Sequence, residues 1–395
     1  MLDAARTQNR SVTVGQTLNW RWPWSYNRAK SGRDGRLDLL RGFCLFVMAI
    51  DHIGVFGPDS WLYIFTGKGE FFISAAEGFV FISGLVMGIV YCKVIAKEGL
   101  NKAVSKILSR VVKLYWLTVG LSLFFTALAA WTPLKLWAER DWIQIKDPFE
   151  LIVGALTMHY AFHGSSIMVM YVMFLALAPL VFYLMTLSKT WLVLAVSWLV
   201  WLGNLFYPNQ FSVPFESNFP FAAWQVLFVT ALVLGYHREK LAKFIKNKGQ
   251  LQTFYYATVS IAALALLVFF ILDRAGVVQS FINNLDYRPL LADMEDKGKL
   301  PLPRLIGVFL YFQAFYLLVT WLWVPIQKTV GWFLIPIGEA GLYVFSLHLV
   351  LIVLVYNLPG FTQLPYLLYG LAELLAVGLL WIAVKTRFLY NIIPR

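Results

Sequence analysis

Long apolar runs recur along the chain between short polar ones, the pattern of a protein that crosses a membrane repeatedly. A run of about 20 residues spans a hydrocarbon core of about 30 Å at 1.5 Å per residue. On that rule helices are expected at about 37–56, 71–92, 112–131, 165–187, 190–207, 221–237, 254–273, 304–326, 335–356 and 366–386. These ten spans predict an all-α polytopic membrane protein. The stretch from Pro148 to Phe162 is apolar but too short to cross, so a re-entrant or interfacial helix is expected there.

Ten crossings place about two thirds of the 33 basic residues on one side, which the positive-inside rule makes the cytoplasm. Both termini are then cytoplasmic, with residues 1–36 a tail, 37–387 the membrane domain and 388–395 a second tail. The first tail has no apolar run ahead of a cleavage site, so the first span is expected to be its own insertion signal. Trp20, Trp22 and Trp24, alternating with Arg and Pro, fit a segment lying at the lipid headgroups or a disordered tail.

Composition agrees: 59% hydrophobic residues, 14% charged and a mean hydropathy of +0.67 exceed what a soluble core of this length accommodates. The net charge of +12 would fit nucleic acid elsewhere, but its distribution follows membrane topology, so no nucleic-acid partner is expected. Cys44 and Cys92 have neither CxxC nor metal-ligand spacing and read as buried free thiols.

The first run is unlike the others, because Leu37 to Phe56 contains Asp38, Arg41, Asp51 and His52. An ionisable group at the bilayer centre costs about 2.5–3.5 kcal/mol on insertion scales, so such groups face a protein interior or a wet cavity. At about 100° per residue, Asp38, Arg41 and His52 share one stripe with Leu45, while Asp51 projects elsewhere beside the imidazole. Arg41 and His52 are separated by a rise of about 16 Å, close to the reach of a thioester's pantetheine arm. Taken singly, Asp38 and Arg41 read equally well as an interfacial ion pair and His52 as a packing residue. Their common stripe favours function.

Glu77 lies two turns from Glu70 on one helical face, and its carboxylate either orients His52 or makes a plain interhelical hydrogen bond. Ser74 with Gly78, and Gly84 with Gly88, are small residues four apart, suited to close helix packing. His159 and His163 are also four apart. No third ligand sits at matching spacing, so no metal is expected, and with Tyr160 they line the non-cytoplasmic end of a cavity or anchor at the interface. His348 lies deep in the ninth span, and Glu339 starts the same predicted helix. The loop from Asp273 to Pro303 is either a lid or a solvated connector.

LDLLRG with the Arg-x10-His spacing, the stretch SAAEGFVFISGLVMG from Ser74 to Gly88 and LYVFSLHLV near the C-terminus together resemble the acyltransferase 3 superfamily of membrane proteins. The second stretch is most similar to its OpgC branch, whose members succinylate osmoregulated periplasmic glucans. The resemblance implies a multi-pass enzyme of the bacterial inner membrane, with succinyl-CoA as co-substrate, a periplasmic glucan as acceptor and no permanently bound cofactor. On this reading His52 is the general base, assisted by Glu77 and by its neighbour Asp51. Arg41 holds the CoA phosphates and is fixed by Asp38, and His348 supports the cavity. An acetyltransferase of another envelope polysaccharide, a non-catalytic glucan-export partner and a proton- or anion-coupled transporter are the alternatives. The last lacks the internal repeat and matched broken helices usual in transporters.

Overall fold

A computed structural model describes residues 24–26, 33–132, 134, 147–159, 164, 166–208, 219–246, 249–281, 287–391 and 393, and every regular element among them is helical. The elements are α1 (Gly35–Gly54), α2 (Trp61–Phe65), α3 (Ala75–Glu98), α4 (Leu100–Trp131), α5 (Pro148–Leu156), α6 (Ser166–Thr186), α7 (Thr190–Phe206) and α8 (Phe221–Tyr236). They continue as α9 (Arg238–Lys246), α10 (Gln250–Arg274), α11 (Val277–Phe281), α12 (Arg288–Glu295), α13 (Leu302–Trp321), α14 (Trp323–Glu339), α15 (Gly341–Tyr356) and α16 (Tyr366–Thr386).

A helix occupies each of the ten predicted spans, but length and apolar content qualify only six to cross a membrane: α3, α4, α6, α10, α13 and α16. The pair α14–α15 would make a seventh if its two halves form one span. With 17 and 16 residues, α7 and α8 are shorter than a full crossing, and α1 has the length but carries Arg36, Asp38, Arg41 and Asp51. Several apolar helices make this a multi-pass membrane protein. The short apolar stretch after Asp147 forms the nine-residue α5, capped by the Asp147 side chain on the Phe149 N–H.

Two predicted boundaries differ from the observed ones for identifiable reasons. Helix α3 starts at Ala75 rather than near Phe71, because Ser74 and Glu77 form a capping box in which the Glu77 carboxylate accepts the Ser74 N–H at 2.7 Å. Glu70 therefore lies outside the helix, where it pairs with Arg274 at 2.9 Å instead of sharing a face with Glu77. The predicted helix over 335–356 is broken at Ala340 by a 92° bend, so Glu339 ends α14 instead of opening the helix of His348.

Glycines bring the central helices into backbone contact. A Cβ on Gly338 would come 1.8 Å from the Asp38 carbonyl, and one on Gly42 would come 2.0 Å from that of Leu334, so α14 lies directly on α1. Gly84, Gly88 and Gly235 do the same for α3 and α8, with a Cβ at Gly88 only 2.1 Å from the Leu232 carbonyl. Small residues at such spacing let dispersion and weak polar contacts act over the whole helix length, which in lipid replaces the hydrophobic drive. Against this core the buried rings of Phe81, Phe174, Phe182, Trp224 and Phe228 complete the packing.

Candidate active site

Helix α1 is held at the centre by α3, α14 and α15, and its polar stripe faces the last two. At one end, Asp34 caps α1 and gathers three partners. Arg36 donates two side-chain hydrogen bonds to it at 2.8 Å, Arg238 forms an ion pair with it, and the Tyr316 hydroxyl donates at 3.0 Å. Burial alone would raise this carboxyl, but the Arg36 and Arg238 bonds and charges hold it down to about 2 from an ordinary 3.8. A depressed carboxyl stabilises the fold above its unfolded value, and that contribution is lost as pH falls through the folded one. Thermal melts in detergent are therefore expected to lose about 2 kcal/mol between roughly pH 4 and 2 from this group, a loss absent in Asp34→Asn. A melting curve with the same acid dependence in both proteins would contradict the assignment.

One turn on, Asp38 does not fix Arg41 as the sequence reading expected. Its carboxylate is taken in a two-bond fork by Arg33, at 2.6 and 2.7 Å. Arg33 reaches it from the segment just ahead of the helix, so a paired guanidinium arrives first, although Asp38 remains within electrostatic reach of Arg41. The Arg41 side chain runs along Gly341, where a Cβ would come within 3.0 Å of its Cδ, and its Nη1 points at the Gly338 carbonyl from 3.5 Å.

At the other end of the stripe, His52 meets His348 of α15. The His52 Nδ1 and His348 Nε2 atoms are 3.0 Å apart and the rings are stacked with centroids at 5.2 Å. The His348 Nδ1 is hydrogen-bonded to the Phe345 carbonyl, which can only accept, so that nitrogen carries a proton. His348 is 2% exposed and no carboxylate touches it among the described residues, so a charged ring there would be an unpaired buried ion. In the neutral ring Nε2 is an acceptor, and His52 must donate to it from Nδ1. The lone pair of His52 is thereby fixed on Nε2, the nitrogen turned away from His348. Sequence reading assigned this orienting task to Glu77, and the structure gives the position to His348.

Glu77 has a different set of contacts. It is fully buried, accepts the Ser74 N–H and forms an ion pair with Arg304 of α13, which is itself 2% exposed. Arg304 also donates to the Glu295 carbonyl at 2.7 Å. Asp51, as expected, projects away from the imidazole stripe and accepts the Thr66 hydroxyl at 2.6 Å. Nearby, Lys297 donates to the Gly69 carbonyl at 3.2 Å, and burial, reinforced by the charge of Arg304, pushes its ammonium below the usual lysine range. Trp224 and Trp201 donate to the Lys297 and Leu300 carbonyls at 3.1 and 3.0 Å. The end of the long loop is therefore fastened inside the bundle, and its middle holds α11 and α12. Glu373 takes a hydrogen bond of 2.6 Å from the buried Ser60. His159 is exposed at the end of α5, while Tyr160 and His163 lie outside the described residues. Among the described residues no three His, Cys, Asp or Glu side chains gather as metal ligands would.

A cavity of about 2250 Å³ opens beside the N-terminal half of α1. Arg33, Lys93, Arg110, Lys113, Arg238 and Arg387 stand on its walls, and Arg41 and Tyr171 line it together with Phe79 and Phe345. His52 and His348 are not among the residues that line this cavity. Aromatic rings fill the interval. Tyr171 packs on Phe79 at 5.6 Å, Phe79 on Phe345 at 6.3 Å, and Phe345 on His348 at 4.8 Å.

Helices of membrane length, a chamber lined by more cations than carboxylates, and a partly buried imidazole hydrogen-bonded to a buried one describe a multi-pass membrane protein with a polar interior. Residues 33–391 match the family described as OpgC protein, and the chain belongs to that family. The family implies a membrane acyltransferase acting on glucans. Comparison with curated proteins and with solved structures finds no match.

Proposed function

We propose that the protein moves a succinyl group from cytoplasmic succinyl-CoA to hydroxyls of a periplasmic glucan, in the bacterial inner membrane, with ten crossings and both termini in the cytoplasm. The reading is supported most by the tautomer chain from the Phe345 carbonyl through His348 to His52, which leaves a basic nitrogen on His52 Nε2. A sugar hydroxyl is a weak nucleophile at neutral pH, and a base at that nitrogen removes its proton as the oxygen attacks the thioester carbonyl. The C–S bond then breaks, and the proton held by His52 leaves with the CoA thiolate as free thiol. The cation-lined cavity takes the CoA phosphates, with Arg41 deepest. Ring movement at Phe345 and Phe79 admits the pantetheine arm, whose length covers the rise of about 16 Å to His52. Asp51, anchored by Thr66 beside the base, accepts a hydrogen bond from the incoming sugar.

The decisive assay uses purified protein in lipid nanodiscs with succinyl-CoA or acetyl-CoA, each with and without a β-glucan. Free thiol is expected only from succinyl-CoA with glucan. Release from acetyl-CoA instead would assign an acetyltransferase, and no release from any pair would remove the enzymatic reading in favour of transport or assembly.

A further inference from the structure

The inner wall of the cavity holds two buried donors without a close acceptor. Arg41 Nε and the Tyr171 hydroxyl are each buried, and neither makes a hydrogen bond of ordinary length among the described residues, Ser83 standing at a looser distance from the hydroxyl. Both side chains line the cavity, they lie within electrostatic reach of one another, and Ser83 lines the same wall beside Tyr171. Arg41's other approach, from Nη1 to the Gly338 carbonyl at 3.5 Å, is at the outer limit of a hydrogen bond. A buried donor left unsatisfied is costly, more so when it is charged. Two of them on residues that line one cavity mark a position that an anion would complete.

We infer that Tyr171, with Arg41, binds a phosphate group of the acyl-CoA donor, an inference that rests on the donor-binding reading above. Distance selects phosphate over the acyl carboxylate, the other anionic group on such a donor. A succinyl chain spans roughly 5 Å from carboxylate to thioester carbon at about 1.5 Å per bond. A carboxylate seated on Arg41 would leave the reacting carbon about 10 Å short of His52, whereas a phosphate there leaves the pantetheine arm to cover the interval. The neutral hydroxyl also suits the task, because it adds a directional donor without adding a second charge to be desolvated when the cavity is empty.

Tyr171→Phe isolates the hydroxyl, since the ring contacts to Phe79 at 5.6 Å and Phe174 at 5.8 Å are retained. Titration calorimetry of the full-length protein in nanodiscs, with CoA and with phosphate-free pantetheine as probes, reads the effect. Tyr171→Phe is expected to weaken CoA about tenfold and leave pantetheine unchanged. Combined with Arg41→Gln, it should cost less than the sum of the two single losses, because both donors serve one group. CoA affinity within twofold of the parent, or an equal loss for both probes, would overturn the assignment of Tyr171 while leaving the donor cavity intact. Absence of CoA binding by the parent protein would instead remove the donor reading itself.

Discussion

His52→Ala is expected to lower kcat for acyl transfer by about 10²–10⁴-fold, the usual contribution of a positioned general base. CoA affinity and the melting temperature should stay near parental, since the imidazole lies beyond the cavity and is only partly buried. The companion experiment concerns His348, which touches the base and fixes its tautomer. His348→Ala should reduce kcat by about 10²-fold with little change in donor KM, and His348→Gln should recover part of that loss, because its amide oxygen can accept the Nδ1 proton where Nε2 now does. Transfer assays across the series decide the matter. Full turnover by His52→Ala removes the base, and equal losses in His348→Ala and His348→Gln show that His348 serves packing alone.

The largest effect on stability is expected at Glu77, whose replacement by Ala should cost about 3–5 kcal/mol by stranding the guanidinium of Arg304. Both partners are essentially sealed from solvent, and Arg304 Nη2 already lacks an acceptor among the described residues, so the neutral Glu295 carbonyl on Nη1 would be left facing an uncompensated charge. The same reasoning makes the double replacement Glu77→Leu with Arg304→Met milder than either single one, because no charge remains to be desolvated. Thermal unfolding in detergent separates the cases. A Glu77→Ala protein melting within 2 °C of the parent would show that the pair does not hold α3 to α13, and so would a double variant less stable than the single one.

The apolar runs made the helices legible, and the polar stripe of α1 made Arg41 and His52 legible, because both signals are local and periodic. What could not be read was the identity of partners. His52 finds its hydrogen-bonded imidazole 296 residues away, Glu77 its counter-ion 227 residues away, and Asp34 its second cation 204 residues away. Periodicity gives the direction in which a side chain points but not what stands opposite. Asp38 is instructive, since its nearest cation on the helix face is Arg41, yet Arg33 approaches from outside the helix in better geometry. Ser74 followed by Glu77 is a capping box that was visible in sequence, and it would have placed the start of α3 correctly. The bend at Ala340 had a weaker signal, in Gly338 and Gly341 beside Pro336, because glycine there serves close contact with α1 as much as flexibility.

The file of rings from Tyr171 through Phe79 and Phe345 to His348 has a consequence for the cell as well as for the reaction. On the proposed reaction, a group passes from one compartment to the other, and that must not dissipate the proton gradient across the membrane. Packed aromatic rings offer water little foothold, so on that reading the file insulates at rest and parts only around the slender arm of a seated thioester.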